Sequence, residues 1–141
     1  MSGNPVSGNQ PPPPRRAEWI GAPESFHLKN VACALNAAFG YHNYLVGSAL
    51  YKRDYRDVDI RCILPDEVFD RLFPNCQIGF QESSFWSLTC ASISEWLAKR
   101  TGLPIDFQIQ RQSYANEHWP SPEHPRNALI IHGAVDEKTE D

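Results

Sequence analysis

From Ser25 the apolar residues Phe26, Leu28, Val31, Leu35, Ala38 and Phe39 recur at helical spacing, with Ser25 placed to cap the start and Gly40 to stop the run. Tyr41 to Val46 then reads as a short, largely buried strand closed by Gly47-Ser48, and residues 49–53 leave room for one or two helical turns. Asp57 to Leu64 alternates, with Val58, Ile60, Cys62 and Leu64 on one face and Asp57, Asp59, Arg61 and Ile63 on the other. That is a second strand. Pro65-Asp66-Glu67 opens a short helix through Phe73, because proline suits the first helical position and acids suit the first turn. After a turn at Pro74-Asn75, Ser83 or Ser84 can cap a longer helix carrying Phe85, Leu88, Ile93, Trp96 and Leu97, with Lys99 and Arg100 in its last turn and Gly102 beyond. Ile105 to Gln110 alternates again and predicts a third strand, with Asp106, Gln108 and Gln110 on its polar side.

The order of elements predicts an α+β fold, a small mixed β-sheet with helices packed on one face. Val58, Ile60 and Cys62 join Ile105, Phe107 and Ile109 on the covered side, and the opposite side displays the acids. Three stretches divide the chain: a proline-rich arm over 1–24, a folded domain over 25–111, and a C-terminal extension over 112–141. Beyond Arg111 the pattern fades into an irregular return, with Ala128 to His132 as an edge strand or docked segment.

At 141 residues one small domain fits and a second full domain does not. Half of the 12 prolines, including Pro11 to Pro14, lie in the first 24 residues, which read as a flexible or polyproline-like arm. Residues 25–111 carry nine charges of each sign, while 112–141 carry Arg126 and Lys138 against six acids, so the net charge of −4 resides in the tail. This balance disfavours nonspecific nucleic-acid binding as the main role. No apolar run approaches a membrane span, and Met1 to Gln10 lack a signal-peptide pattern, so a soluble, cytoplasmic chain without a membrane partner is expected. Cys33, Cys62, Cys76 and Cys90 form no CxxC pair and read as reduced, packed thiols. The five histidines show no zinc-ligand spacing with the cysteines. Arg61 and Cys62 stand where a calcium loop would need an oxygen ligand and a glycine.

The stretch richest in chemistry is Tyr44-Leu45-Val46-Gly47-Ser48 followed by Asp57-Val58-Asp59-Ile60. Acids at i and i+2 on a strand point the same way and can share a divalent cation. Asp106 occupies the matching polar position on the other alternating strand, so neighbouring strands would bring three carboxylates together. A bound Mg²⁺ would relieve their mutual repulsion. A glycine after a buried strand allows a tight turn, and the amides that follow can open a helix whose N-terminus attracts phosphate. Lys52, Arg53 and Arg56 lie between the glycine turn and the acids as candidate phosphate clamps, and Tyr51, Tyr55 and Trp86 are candidates for stacking on a base. Neither a P-loop nor a nucleophile elbow is present.

An apolar strand, Gly-Ser, a short helix, Asp-x-Asp and a later strand with a third Asp together resemble the nucleotidyltransferase superfamily that includes DNA polymerase beta and the minimal antitoxin-type enzymes. The resemblance covers residues 25–111. It implies a nucleoside triphosphate lying against Gly47 and Ser48, Mg²⁺ held by Asp57, Asp59 and Asp106, and Asp106 near the attacking hydroxyl. It further implies transfer of a nucleoside monophosphate to an acceptor (a small molecule, a protein or an RNA end) with release of pyrophosphate. The smallest members often act as dimers or on a protein partner, which extends that expectation to this chain. The eight residues between Ser48 and Asp57 require a brief connecting helix, and no second domain is visible to bind the base or the acceptor. The alternative reading keeps the fold as an interaction module without transfer activity.

Overall fold

In the computed structural model, described over residues 19–74, 76, 83–120 and 124–130, four helices pack against one open, mixed four-stranded sheet. The elements run α1 (Glu24–Phe39), β1 (Asn43–Val46), a 3₁₀ turn (Gly47–Leu50), β2 (Val58–Leu64), α2 (Asp66–Leu72), α3 (Ser84–Thr101), β3 (Ile105–Arg111), α4 (Gln112–His118) and β4 (Asn127–Ala128). The sheet order is β3-β2-β1-β4; β1 is antiparallel to both neighbours, and β2 is parallel to β3. The α+β architecture is the one that the hydrophobic pattern predicts.

The covered face follows the period-two rule for a half-buried strand. Val58, Ile60, Cys62 and Leu64 of β2 are fully buried, and Phe107 and Ile109 of β3 join them. Helix α1 adds Leu28, Ala32 and Leu35 to this core. Helix α3 lies along the outer edge of β3 and supplies the partners that an edge strand otherwise lacks. Ser94 Oγ accepts from the Phe107 amide at 2.9 Å, and Trp86 Nε1 donates to the Ile109 carbonyl at 2.8 Å.

Several local expectations are corrected. Ser25 lies inside α1; Pro23 holds the cap position, and no side-chain cap bond forms there. Phe26, Phe85 and Leu88 are 61%, 61% and 65% exposed, so the inner faces of the two long helices differ from those predicted. Ser83, not Ser84, caps α3, accepting from the Trp86 amide. Pro65 precedes α2 as its cap residue. Trp86 belongs to the core and is no surface platform for a base. The segment after Arg111 contains α4, and β4 pairs with β1 through Ala128 and Asn127. Residues 1–18, Asn75, Ile131, His132 and the acidic end lie outside the described residues.

All four cysteines are unpaired, and three are buried. Burial holds the Cys62 thiol far above its ordinary value and pushes Cys90 up to about 11, which makes both unreactive. Among the described residues no helix is long and apolar enough to cross a membrane.

Candidate functional site

The parallel pairing of β2 with β3 sets Asp59 directly beside Asp106, and the antiparallel pairing with β1 sets Val46 on the other side of Asp59. Residues in such a row share a face, so two carboxylates from distant parts of the chain meet at the end of β1. Gly47 follows Val46 with φ +82°, a conformation that disfavours any side chain. A Cβ added there would overlap Asp59 Oδ2 and lie 3.2 Å from its Cγ, so the glycine backbone forms the wall against which this carboxylate rests.

The environment makes Asp59 reluctant to ionise. Burial pushes its carboxyl up from 3.8 to about 6, against the pull of Arg61; the charges of Asp106 and Asp57 and a hydrogen bond with Asp106 push the same way as burial. Asp59 therefore keeps its proton into mild acid, where it can hydrogen-bond Asp106.

Arg61 is the counter-charge. It lies two residues beyond Asp59 on β2 and is 6% exposed. Its Nη1 donates to the carbonyls of Ile60 at 3.0 Å and Asp106 at 2.8 Å, and its Nη2 approaches Asp106 Oδ2 at 3.4 Å. Its Nε is buried without a partner. Asp106 itself remains 44% exposed at the side chain.

The other expected residues are less closely engaged. Asp57 precedes β2 and is exposed; it acts on Asp59 through space. Among the described residues, no group of three or more His, Cys, Asp or Glu is placed to hold a metal ion, so the expected trio reduces to a contacting pair with a third charge nearby. The helix after Gly47 is a single 3₁₀ turn of four residues. It is too short to carry the dipole expected at a phosphate-binding helix end. The Ser48 carbonyl accepts from the amides of Tyr51 and Lys52 and closes that turn. Lys52, Arg53 and Arg56 are exposed in the loop toward β2, with the Arg53 guanidinium 5.7 Å from the Trp19 ring centre.

Two-carboxylate donation still fits Mg²⁺, which takes one or two protein carboxylates and completes its shell with water and substrate phosphates. The donor atoms are hard oxygens, the charges of Asp106 and Asp57 repel an ionised Asp59 while Arg61 attracts it, and the bare Gly47 backbone lets the Asp59 carboxylate sit close against it. Sequence reasoning placed Arg61 on this face but did not expect its burial. It missed Trp119, whose ring lies 5.9 Å from the Arg61 guanidinium. Comparison of the chain with family models, with curated proteins and with solved structures finds no match.

Proposed function

We propose that the chain is a Mg²⁺-dependent nucleotidyltransferase that moves a nucleoside monophosphate from a nucleoside triphosphate to an acceptor hydroxyl. One observation carries this reading: Asp59 and Asp106 are direct register partners beside a glycine that a Cβ would drive into Asp59. Ion-pairing alone would not require that glycine. Asp59 and Asp106 would hold the metal, with Asp57 adding negative charge at its edge. Bound there, Mg²⁺ would neutralise the triphosphate and polarise the phosphorus under attack.

The protein's own groups have distinct tasks. The Gly47-Ser48 backbone lets a phosphate come close, and Lys52, Arg53 and Arg56 are the cations from which a clamp on the outer phosphates is drawn. Asp106, whose side chain is 44% exposed, accepts the proton of the acceptor hydroxyl. The acceptor oxygen bonds to the α-phosphorus as the bond to the bridging oxygen breaks, and pyrophosphate leaves with that electron pair. Arg61 fixes the Asp106 backbone and carboxylate together, so the base stays in place. A cytoplasmic setting, where nucleoside triphosphates are abundant, suits the proposal, as does a second copy or a protein acting as partner or acceptor.

Calorimetry with Mg²⁺ and each nucleoside triphosphate tests it. Binding should require the metal and disappear in Asp59→Asn and Asp106→Asn; absence of heat from the wild type together with unchanged melting rejects the enzyme. A second reading, an interaction module without transfer activity, draws on the Arg61–Asp106 contact, which already neutralises one of the two acids. That reading predicts partner capture that survives the double Asp59→Asn, Asp106→Asn change.

A further inference from the structure

The acid face continues past the carboxylate row. Tyr44 pairs with Arg61 and Arg61 with Gln108, one two-residue step, or roughly 7 Å, along the strands from Asp59 and Asp106. Trp119 stands over this second row. Its indole Nε1 donates to Gln110 Oε1 at 3.3 Å, Arg61 lies over its ring, and His118 and His124 meet it edge-on at 6.2 and 6.3 Å. Beside it opens a cleft of about 730 Å³ lined by Tyr44, Asn116, Trp119, His124, Pro125 and Arg126. That volume lies within the range of small-molecule sites. Its walls are tied together, because Arg126 Nη2 donates to Asn116 Oδ1 at 2.9 Å and to the carbonyls of Ala115 and Trp119 at 3.2 and 3.3 Å.

The lining selects a ligand class. Among the described residues that line the cleft there is no carboxylate. The Nη2 of Arg126 is engaged by three protein oxygens, so this end of the guanidinium serves the walls of the cleft. The rings of Tyr44, Trp119 and His124, with Pro125 beside them, suit a flat ring by stacking. Asn116 Oδ1 accepts from Gln112 and Arg126, which leaves the Nδ2 hydrogens to meet a ring nitrogen or carbonyl.

We infer that this cleft, built by the C-terminal segment on the second row of the acid face, is a nucleobase site whose bound nucleotide directs its phosphates toward Asp59 and Asp106. The inference deepens the nucleotidyltransferase reading and rests on it for the position of the phosphates. It also places a base-binding element within the same fold as the carboxylates. The base belongs either to the donor triphosphate or to a nucleotide at the end of the acceptor, and both present the same ring chemistry.

Calorimetric titration of adenosine, guanosine, cytidine and uridine, and of the four triphosphates with Mg²⁺, into wild type, Trp119→Ala, Trp119→Phe and Asp59→Asn tests the site. At least one nucleoside should bind wild type and Asp59→Asn equally, and about tenfold or more weakly to Trp119→Ala, with Trp119→Phe recovering part of the loss. The matching triphosphate should lose the same factor in Trp119→Ala if the donor base occupies the cleft; an unchanged triphosphate beside a weakened nucleoside assigns it to the acceptor base. No nucleoside binding to wild type, or binding indifferent to Trp119→Ala, overturns the cleft, while Mg²⁺-dependent triphosphate binding lost in Asp59→Asn would leave the enzyme reading standing. Nucleoside binding without any metal-dependent triphosphate binding keeps the cleft and removes that reading. If Trp119→Ala does not fold, Trp119→Phe and Asn116→Ala decide, and affinities unchanged in both overturn the site.

Discussion

Strand β2 presents two surfaces made by alternate residues of one seven-residue segment, and they obey different physics. Toward α1 and α3 it places Val58, Ile60, Cys62 and Leu64, all with no exposed surface. On the opposite face it places Asp59, Arg61 and Ile63. The first surface is explained by burial of apolar area alone. The second contains a half-buried carboxylate against another carboxylate and a guanidinium that is almost wholly enclosed, arrangements that cost stability rather than supply it. A sheet face that only had to meet water would carry scattered, solvated charges. The difference teaches that one face is held by apolar burial alone, while the other, where Val46, Arg61, Ile63 and Gln110 are also buried, is organised around charge.

The largest effect expected from this asymmetry is at Phe107, which is 1% exposed at the centre of the covered face. Phe107→Ala should lower the unfolding free energy by about 3–5 kcal/mol in urea titrations. Metal-dependent nucleotide binding per folded molecule should persist, since the side chain points away from Asp106. A loss below about 1 kcal/mol, on the scale of an ordinary surface change, would mean that the covered face is not the seat of stability.

Next in size is Gly47→Ala, at the point where the two surfaces meet. The added methyl would collide with the Asp59 carboxylate at a backbone angle that side chains avoid. The cost should be about 1–3 kcal/mol, and Asp59 must leave its place beside Asp106. Melting should show a folded but weakened protein, and the Mg²⁺-dependent nucleotide isotherm should vanish. An intact isotherm would show that the glycine serves only the turn.

The covered face was legible in the sequence because β3 alternates throughout and β2 alternates up to Ile63. The helices were less so, for a physical reason. The inner side of α3 runs through Trp86, Cys90, Ser94, Leu97 and Thr101, a regular stripe at spacings of four and three. Ser94 bonds the β3 edge, and Thr101 bonds the Leu97 carbonyl and the Leu103 amide, so polar members interrupt the hydrophobic pattern and Phe85 and Leu88 stand in as false candidates. Helix α4 buries only Ala115 and has no apolar period to detect. At the site, alternation placed Asp59, Arg61 and Asp106 on one face, but their register depends on a strand pairing that no local pattern encodes. Asp57 was grouped with Asp59 by spacing, yet pairing starts at Val58 and leaves it outside the ladder. Trp119 follows a helix invisible in the sequence, and so did the cleft beside it.

The smallest predicted effect has the most informative sign. Asp59 titrates near 6 in the folded protein against an ordinary 3.8, so the folded state holds this proton more tightly than the unfolded chain does. Its ionisation therefore costs no stability below about pH 4, an increasing amount as pH rises toward 6, and the full amount above that. The shift corresponds to about 3 kcal/mol without screening, which half-burial beside solvent reduces to about 1 kcal/mol. Asp59→Asn removes the charge and keeps a donor for the hydrogen bond to Asp106. It should raise stability by about 1 kcal/mol at pH 7 and change it little at pH 4. For the same reason, Mg²⁺ should raise the wild-type melting temperature more at pH 7.5 than at pH 5, because the cation relieves a repulsion present only when both carboxylates are ionised. Thermal melts at the two pH values, with and without Mg²⁺, separate the possibilities: destabilisation of Asp59→Asn at pH 7 would make the carboxylate a net structural asset, and the distinction between a folding face and a site face would lose its physical basis.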